Sequence, residues 1–284
     1  MKKWIISAFL YLAIVIVGYF AYEAVFGVDE KLDAHTEEHT ASTSEAKEAG
    51  KAHDSHSRDE LHEHGQQTST ESEVKVTVKE ENQSLTVRLE DLAGNPVTDL
   101  EVSHEKLLHL IVVDDHLDQY FHLHPEETTP GQFKVESPLK EGTYKAFVDI
   151  KPKDLNYEVQ TILFTVGNPD TGEHSHSSLK IDQTLEKTIN GNKVTMTPTS
   201  LVVNEPVNLT FDVHGAKLES YLGALGHVVI LDEQADEYLH VHPLDGDTPV
   251  FETQFSKPGI YKIWAEFREN GNVTVYPFIV EVKS

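Results

Sequence analysis

The sequence predicts an all-β protein in which two tandem antiparallel β-sandwich domains follow an N-terminal transmembrane helix and a disordered linker. Three observations carry that expectation: one long apolar run at the start, alternation of apolar and polar residues from Val74 onward, and a patterned block that occurs twice.

Residues 1–27 read as a signal anchor. Lys2 and Lys3 precede an apolar run from Trp4 to Phe20 that continues towards Phe26. A helix needs about 17–25 apolar residues to cross the hydrocarbon core, so residues 4–26 suffice. With the lysines held inside, the rest of the chain is expected outside the cytoplasm of a single-pass membrane protein. A cleaved signal peptide is the alternative, although the nearest small-residue site, around Ala21 to Ala24, is a poor match. Residues 28–73 are rich in Glu, Asp, Ser, Thr, Ala and His and contain no aromatic residue, which predicts a disordered acidic tether. His35, His39, His53, His56, His62 and His64 lie within it, so it could serve as a solvated spacer and as a weak metal scavenger at once.

From Val74 the period becomes two. Val74 to Val78 and Leu85 to Leu89 alternate apolar and polar, as half-buried strands do, and Ala93 to Pro96 is a turn signal. Strands are expected through residues 74–166. A polar linker with His174 and His176 follows at 167–178, and a second strand-rich domain occupies 179–284. No more than one short turn or helix is expected, over Lys180 to Lys187.

The repeat is the central signal. His109-Leu-Ile-Val-Val-Asp114 is followed by Tyr120-Phe-His122-Leu-His124-Pro125, and His227-Val-Val-Ile-Leu-Asp232 by Tyr238-Leu-His240-Val-His242-Pro243. The spacing between the three histidines is identical in both copies. Gly142-Thr-Tyr144 likewise matches Gly259-Ile-Tyr261, and each copy is roughly the size of an immunoglobulin-like sandwich, about 100 residues. The Gly-x-Tyr pattern suits the tyrosine corner of such folds.

Read as hairpins, the two units place His109 opposite His124 and His227 opposite His242. Side chains alternate faces along a strand, so Leu110, Val112, Phe121 and Leu123 then share one face and His109, His122 and His124 the other. The second hairpin does the same, with Val228, Ile230, Leu239 and Val241 against His227, His240 and His242. Opposed Cβ atoms lie about 4.5–5.5 Å apart, close enough for three imidazoles to meet at one ion. The predicted metal ligands are therefore His109, His122, His124, His227, His240 and His242, with His104 as a possible extra ligand in the first domain. Asp149 and Glu266 hold equivalent positions and could orient a histidine from behind, but a surface placement is preferred. The alternative for the histidines is a duplicated structural feature.

Composition narrows the chemistry. The formal charge is -25, from 48 acidic and 23 basic residues, which disfavours nucleic acid. The absence of cysteine removes disulfides and thiolate ligands, and two methionines cannot build a thioether Cu(I) site. Imidazole and carboxylate remain, which suit copper or zinc as divalent ions.

His104-Glu-Lys-Leu-Leu-His109-Leu-Ile-Val-Val with Phe121-His-Leu-His-Pro125-Glu126, and Tyr221 to His227 with Tyr238 to Pro243, resemble the bacterial extracytoplasmic YtkA-like and FixH-like immunoglobulin-like proteins. The resemblance covers about residues 74–282. It implies a small antiparallel sandwich and a role in copper or heavy-metal handling, with the motif histidines falling on the two triplets.

The leading expectation is a non-enzymatic binder of copper or zinc that acts as buffer, chaperone or sensor and loosens its hold as pH falls through about 6.5. The alternative is a metal-independent cell-surface interaction or adhesion module. An enzyme is disfavoured, because no positioned general base, nucleophile or Gly-rich phosphate loop stands out. Beyond the metal ion and the membrane, the sequence names no protein partner.

Overall fold

The computed structural model describes residues 71–168, 178–244 and 246–284, all of which fall in one compact unit, His62–Ser284. The anchor, nearly all of the tether and most of the linker lie outside the described residues. Among the described residues no helix is long and apolar enough to cross a membrane. All the regular structure described is β, in antiparallel sheets that form two sandwiches.

In the first sandwich, Val74–Glu81, Ser84–Asp91, Gln132–Glu136 and Glu126–Thr129 lie side by side in that order as one sheet. Ile162–Val166, Gly142–Asp149, His109–Asp114 and Tyr120–Leu123 form the other. Leu85, Val87, Leu89, Leu110, Val112, Phe133, Ala146 and Val148 fill the space between them. These are every-second-residue positions, as a pleated strand with one face on a core requires.

The second sandwich repeats the plan. Asn192–Pro198, Pro206–Asp212 and Val250–Gln254 form one sheet, with Glu186–Ile189 added at its edge. The expected turn or helix over Lys180 to Lys187 is instead irregular chain entering that edge strand. The facing sheet carries Asn272–Val282, Gly259–Glu269, His227–Asp232 and Tyr238–Val241. Phe211, Phe251, Phe267 and Phe278 dominate its core.

Both Gly-x-Tyr motifs are tyrosine corners. Tyr144 donates its hydroxyl to the carbonyl of Lys140 at 3.1 Å, and Tyr261 to that of Lys257 at 2.9 Å. Each bond satisfies a buried phenol four residues back along the chain and fixes the start of the long strand that crosses the centre of its sheet.

A third core joins the two sandwiches. Ile111, Val113, Leu117 and Phe147 of the first sandwich pack against Val229, Leu231, Ala235 and Trp264 of the second, all at most 2% exposed. The strands His109–Asp114 and His227–Asp232 are accordingly buried on both faces. Their unbroken apolar runs have this physical reason: one face serves the sandwich, the other the neighbouring domain. Tyr120 stacks on Trp264 with ring centroids 4.9 Å apart, and Tyr238 stacks on Phe147 at 5.0 Å. Lys262 reaches across to the carbonyl of Leu117, and the equivalent Lys145 to that of Gln234. The two halves thus meet through like surfaces, much as an isologous dimer does.

Candidate metal centre

The hairpin register is the one the apolar pattern demands. Leu110 pairs with Leu123 and Ile111 with His122; Val228 pairs with Val241 and Val229 with His240. All three histidines of each copy therefore leave the same face of their hairpin. His109, His122 and His124 offer ring nitrogens that all lie within 4.8 Å of one another, as do His227, His240 and His242.

Hydrogen bonds to fixed acceptors select the tautomers. His109 Nε2 lies 2.9 Å from the Ser103 carbonyl and His227 Nε2 lies 3.0 Å from the Tyr221 carbonyl. A carbonyl can only accept, so these nitrogens carry the proton and each Nδ1 is left with a bare lone pair. Both carbonyls are presented by matching tight turns. Ser103 and Lys106 exchange backbone bonds around His104 and Glu105, and Tyr221 and Ala224 do so around Leu222 and Gly223. All four central residues have positive φ, which three of them adopt with a side chain attached.

The carboxylates set two further tautomers, those of His122 and His240, and they correct the preferred surface placement of Asp149 and Glu266. In the strand register Asp149 stands opposite His109 and Glu266 opposite His227, so both face the interdomain side. His122 Nδ1 meets Glu266 Oε2 at 3.0 Å, and His240 Nδ1 meets Asp149 Oδ2 at 2.8 Å. Each carboxylate therefore orients a histidine of the other domain. Glu266, only 1% exposed, also accepts the Tyr120 hydroxyl at 2.5 Å. The equivalent Tyr238–Asp149 contact is a looser 3.5 Å.

With the outer nitrogens of these four rings engaged, their inner nitrogens are left as acceptors. His109 Nδ1 and His122 Nε2 lie 3.0 Å apart, both as acceptors. His227 Nδ1 and the Nε2 atoms of His124, His240 and His242 are buried without a hydrogen-bond partner. Buried polar atoms are nearly always satisfied, so this concentration is abnormal for a purely structural cluster. It is ordinary for metal ligands, since two nitrogens that share an ion at about 2 Å lie about 3 Å apart.

Burial, reinforced by neighbouring histidines, lowers the imidazole pKa values. His104 falls to about 4, His124 to about 3 and His227 to about 2. His109 is lowered, and His122 and His242 are lowered strongly. Each of these named rings is thus shifted towards the neutral form, the one a metal takes. Burial pushes Glu266 up against the pull of Tyr120 and the histidines. For Asp149 burial also acts upward, but the His240 bond and charge outweigh it and the group lies low.

His104 is not within either triplet's set of converging nitrogens. Its ring stacks on His242 of the other domain, with centroids 3.3 Å apart, rather than extending the first triplet. Asp114 and Asp232 cap the hairpin turns by accepting backbone N–H bonds, from Gln119 and from Asp236 and Glu237.

A family described as a domain of unknown function, DUF8832, matches residues 62–170 and 187–284, one segment for each sandwich. The chain belongs to this family. The matched DUF8832 segments include every histidine of the two triplets. No curated protein matches the sequence. Among solved structures the chain is similar to a two-domain fibronectin type-III segment of chicken tenascin, 8% identical over 74% of this chain and 99% of that one, TM-score 0.24. It is similar also to the chicken interferon gamma receptor alpha chain, 9% identical over 75% and 99%, TM-score 0.24.

Proposed function

We propose that this DUF8832 protein is a membrane-anchored extracytoplasmic binder of a divalent transition metal, copper or zinc, held by histidine in each domain. One observation carries the reading: buried imidazoles, four of them fixed through one ring nitrogen by a carbonyl or a carboxylate, whose other nitrogens gather largely without hydrogen-bond partners. Nitrogen-only ligands suit Cu(II) and Zn(II), and the affinity order among divalent ions favours copper where both are present. A buffer, chaperone or sensor would use such a site without turnover. The apolar run at residues 4–26 supports the anchoring, and the motif resemblance to YtkA-like and FixH-like proteins supports a copper-handling role. The test is calorimetric titration of the full chain with Cu(II) and Zn(II), alongside a His240→Ala/His242→Ala variant and metal analysis of protein purified without tag or chelator. Binding that saturates in the parent and weakens in the variant is expected. Equal heats from both proteins would remove the site.

A further inference from the structure

The interdomain arrangement points to more than two copies of one site. We infer that the two triplets form a single binuclear centre, two divalent ions gripped jointly by both domains, in which each domain supplies the carboxylate that positions a ligand of the other. The inference rests on the metal reading above and goes beyond it in stoichiometry, distance and coupling.

Three geometric facts support it. Ring centroids of His109 and His240 are 5.2 Å apart, and those of His122 and His240 5.4 Å. Within the triplets the spacings run from 4.5 Å for His240–His242 to 5.8 Å for His227–His240, so the distances between domains fall inside the same range. The six rings are therefore one cluster. Second, the positioning carboxylates are crossed, Glu266 on His122 and Asp149 on His240, so neither triplet is complete without the opposite domain. Third, the unpartnered nitrogens come from both triplets, and with Tyr120 on Glu266 and Tyr238 towards Asp149 the surrounding polar atoms are already committed to holding the rings.

The physical consequence is coupling. An ion on His109, His122 and His124 draws His122, and through it Glu266, into a fixed place on the interface. That ordering also fixes the wall on which His227 stands, so the second ion meets a more organised triplet. Such coupling is reciprocal in binding free energy.

The experiment uses Cu(II) alone as probe on the full chain, with the tether and linker histidines changed to serine. Two equivalents should bind, and the second should broaden or abolish the isolated-ion electron paramagnetic resonance signal through spin coupling. In a His122→Ala/His124→Ala background the remaining triplet should lose affinity about tenfold, within the usual span for coupled sites. Adding Asp149→Asn there should weaken it a further ~10–100-fold, although Asp149 belongs to the first domain, as loss of a ligand-orienting carboxylate does. Two magnetically isolated ions would overturn the inference, as would a stoichiometry of one, or an affinity of the remaining triplet left unchanged by Asp149→Asn. The spin-coupling arm needs no variant within the cluster, so misfolding of the double variant leaves the decision intact. Failure of the parent to bind Cu(II) at all would instead remove the metal reading and this inference with it.

Discussion

The two sandwiches carry the same triplet on the same hairpin, yet they do not treat it alike. Around His122 the supporting carboxylate is Glu266, almost fully buried and closed over by the Tyr120 hydroxyl at 2.5 Å. Around His240 it is the shorter Asp149, half-buried, with Tyr238 standing off at 3.5 Å. The aromatic lids differ too, Trp264 beneath Tyr120 and Phe147 beneath Tyr238. The turn beside the site carries His104 in one copy and Leu222 in the other. The ligands are thus the invariant part of the repeat, while the shell that aims them has taken two sizes. The half centred on His122 is the more deeply buried and the one whose phenol is tightly bonded, while the His240–Asp149 bond at 2.8 Å is the shorter of the two histidine–carboxylate contacts.

Acid should break the comparison most completely, because it acts on both halves. These bases have folded pKa values below their unfolded value of 6.5. The unfolded chain therefore takes up protons that the folded rings refuse, and stability present above pH 6.5 is lost as pH falls towards 4 and then 2. Glu266, raised by burial, acts in the opposite sense but is one group against several. Thermal melting of chelator-treated protein from pH 7.5 to 4 should show a steep fall in Tm. A flat profile would mean that the rings are not held neutral.

Trp264→Ala should cost about 3–5 kcal/mol, as cavity-forming changes at large aromatics do, and match Phe211→Ala inside the second sandwich. Urea unfolding decides this: a loss below about 1 kcal/mol would demote the interdomain surface from a core to a contact. The asymmetry itself is sharpened by removing the two phenols. Tyr120→Phe breaks a short bond to a buried carboxylate and should destabilise by about 1.5–3 kcal/mol. Tyr238→Phe breaks a contact at the outer limit of hydrogen-bond length and should change little, under about 0.5 kcal/mol. Similar losses for both would erase the distinction drawn between the halves. Smallest of all, His104→Leu makes the first copy resemble the second and should leave Cu(II) affinity within about twofold, since the ring stacks on His242 and offers no nitrogen to either triplet.

Much of this was legible beforehand for a simple reason. A hairpin's register is pinned when one face is apolar, because a one-residue slip would turn every side chain over. Leu110, Val112, Phe121 and Leu123 therefore settle where His109, His122 and His124 point. What was hidden depends on contacts more than a hundred residues apart. Ile111 and Val113 break the alternation of their strand, and that was the available sign of a second buried face. Which surface covers it is not encoded in local pattern. Asp149 and Glu266 went to the surface by the general rule that carboxylates are buried only when paired. Their partners belong to the other domain, so the pairing could not be read from either repeat alone. The gathering of two triplets into one cluster was out of reach for the same cause.

The shared outer face through which the sandwiches join has a further meaning. A lone sandwich of this design would leave Ile111, Val113 and Phe147 open to water, with a single histidine triplet beside them, and would have to find a twin by diffusion. Written as one polypeptide, the twin is always present at fixed stoichiometry, and assembly no longer depends on protein concentration. The joined halves are also freed from identity: each may specialise its lid without its counterpart having to change in step.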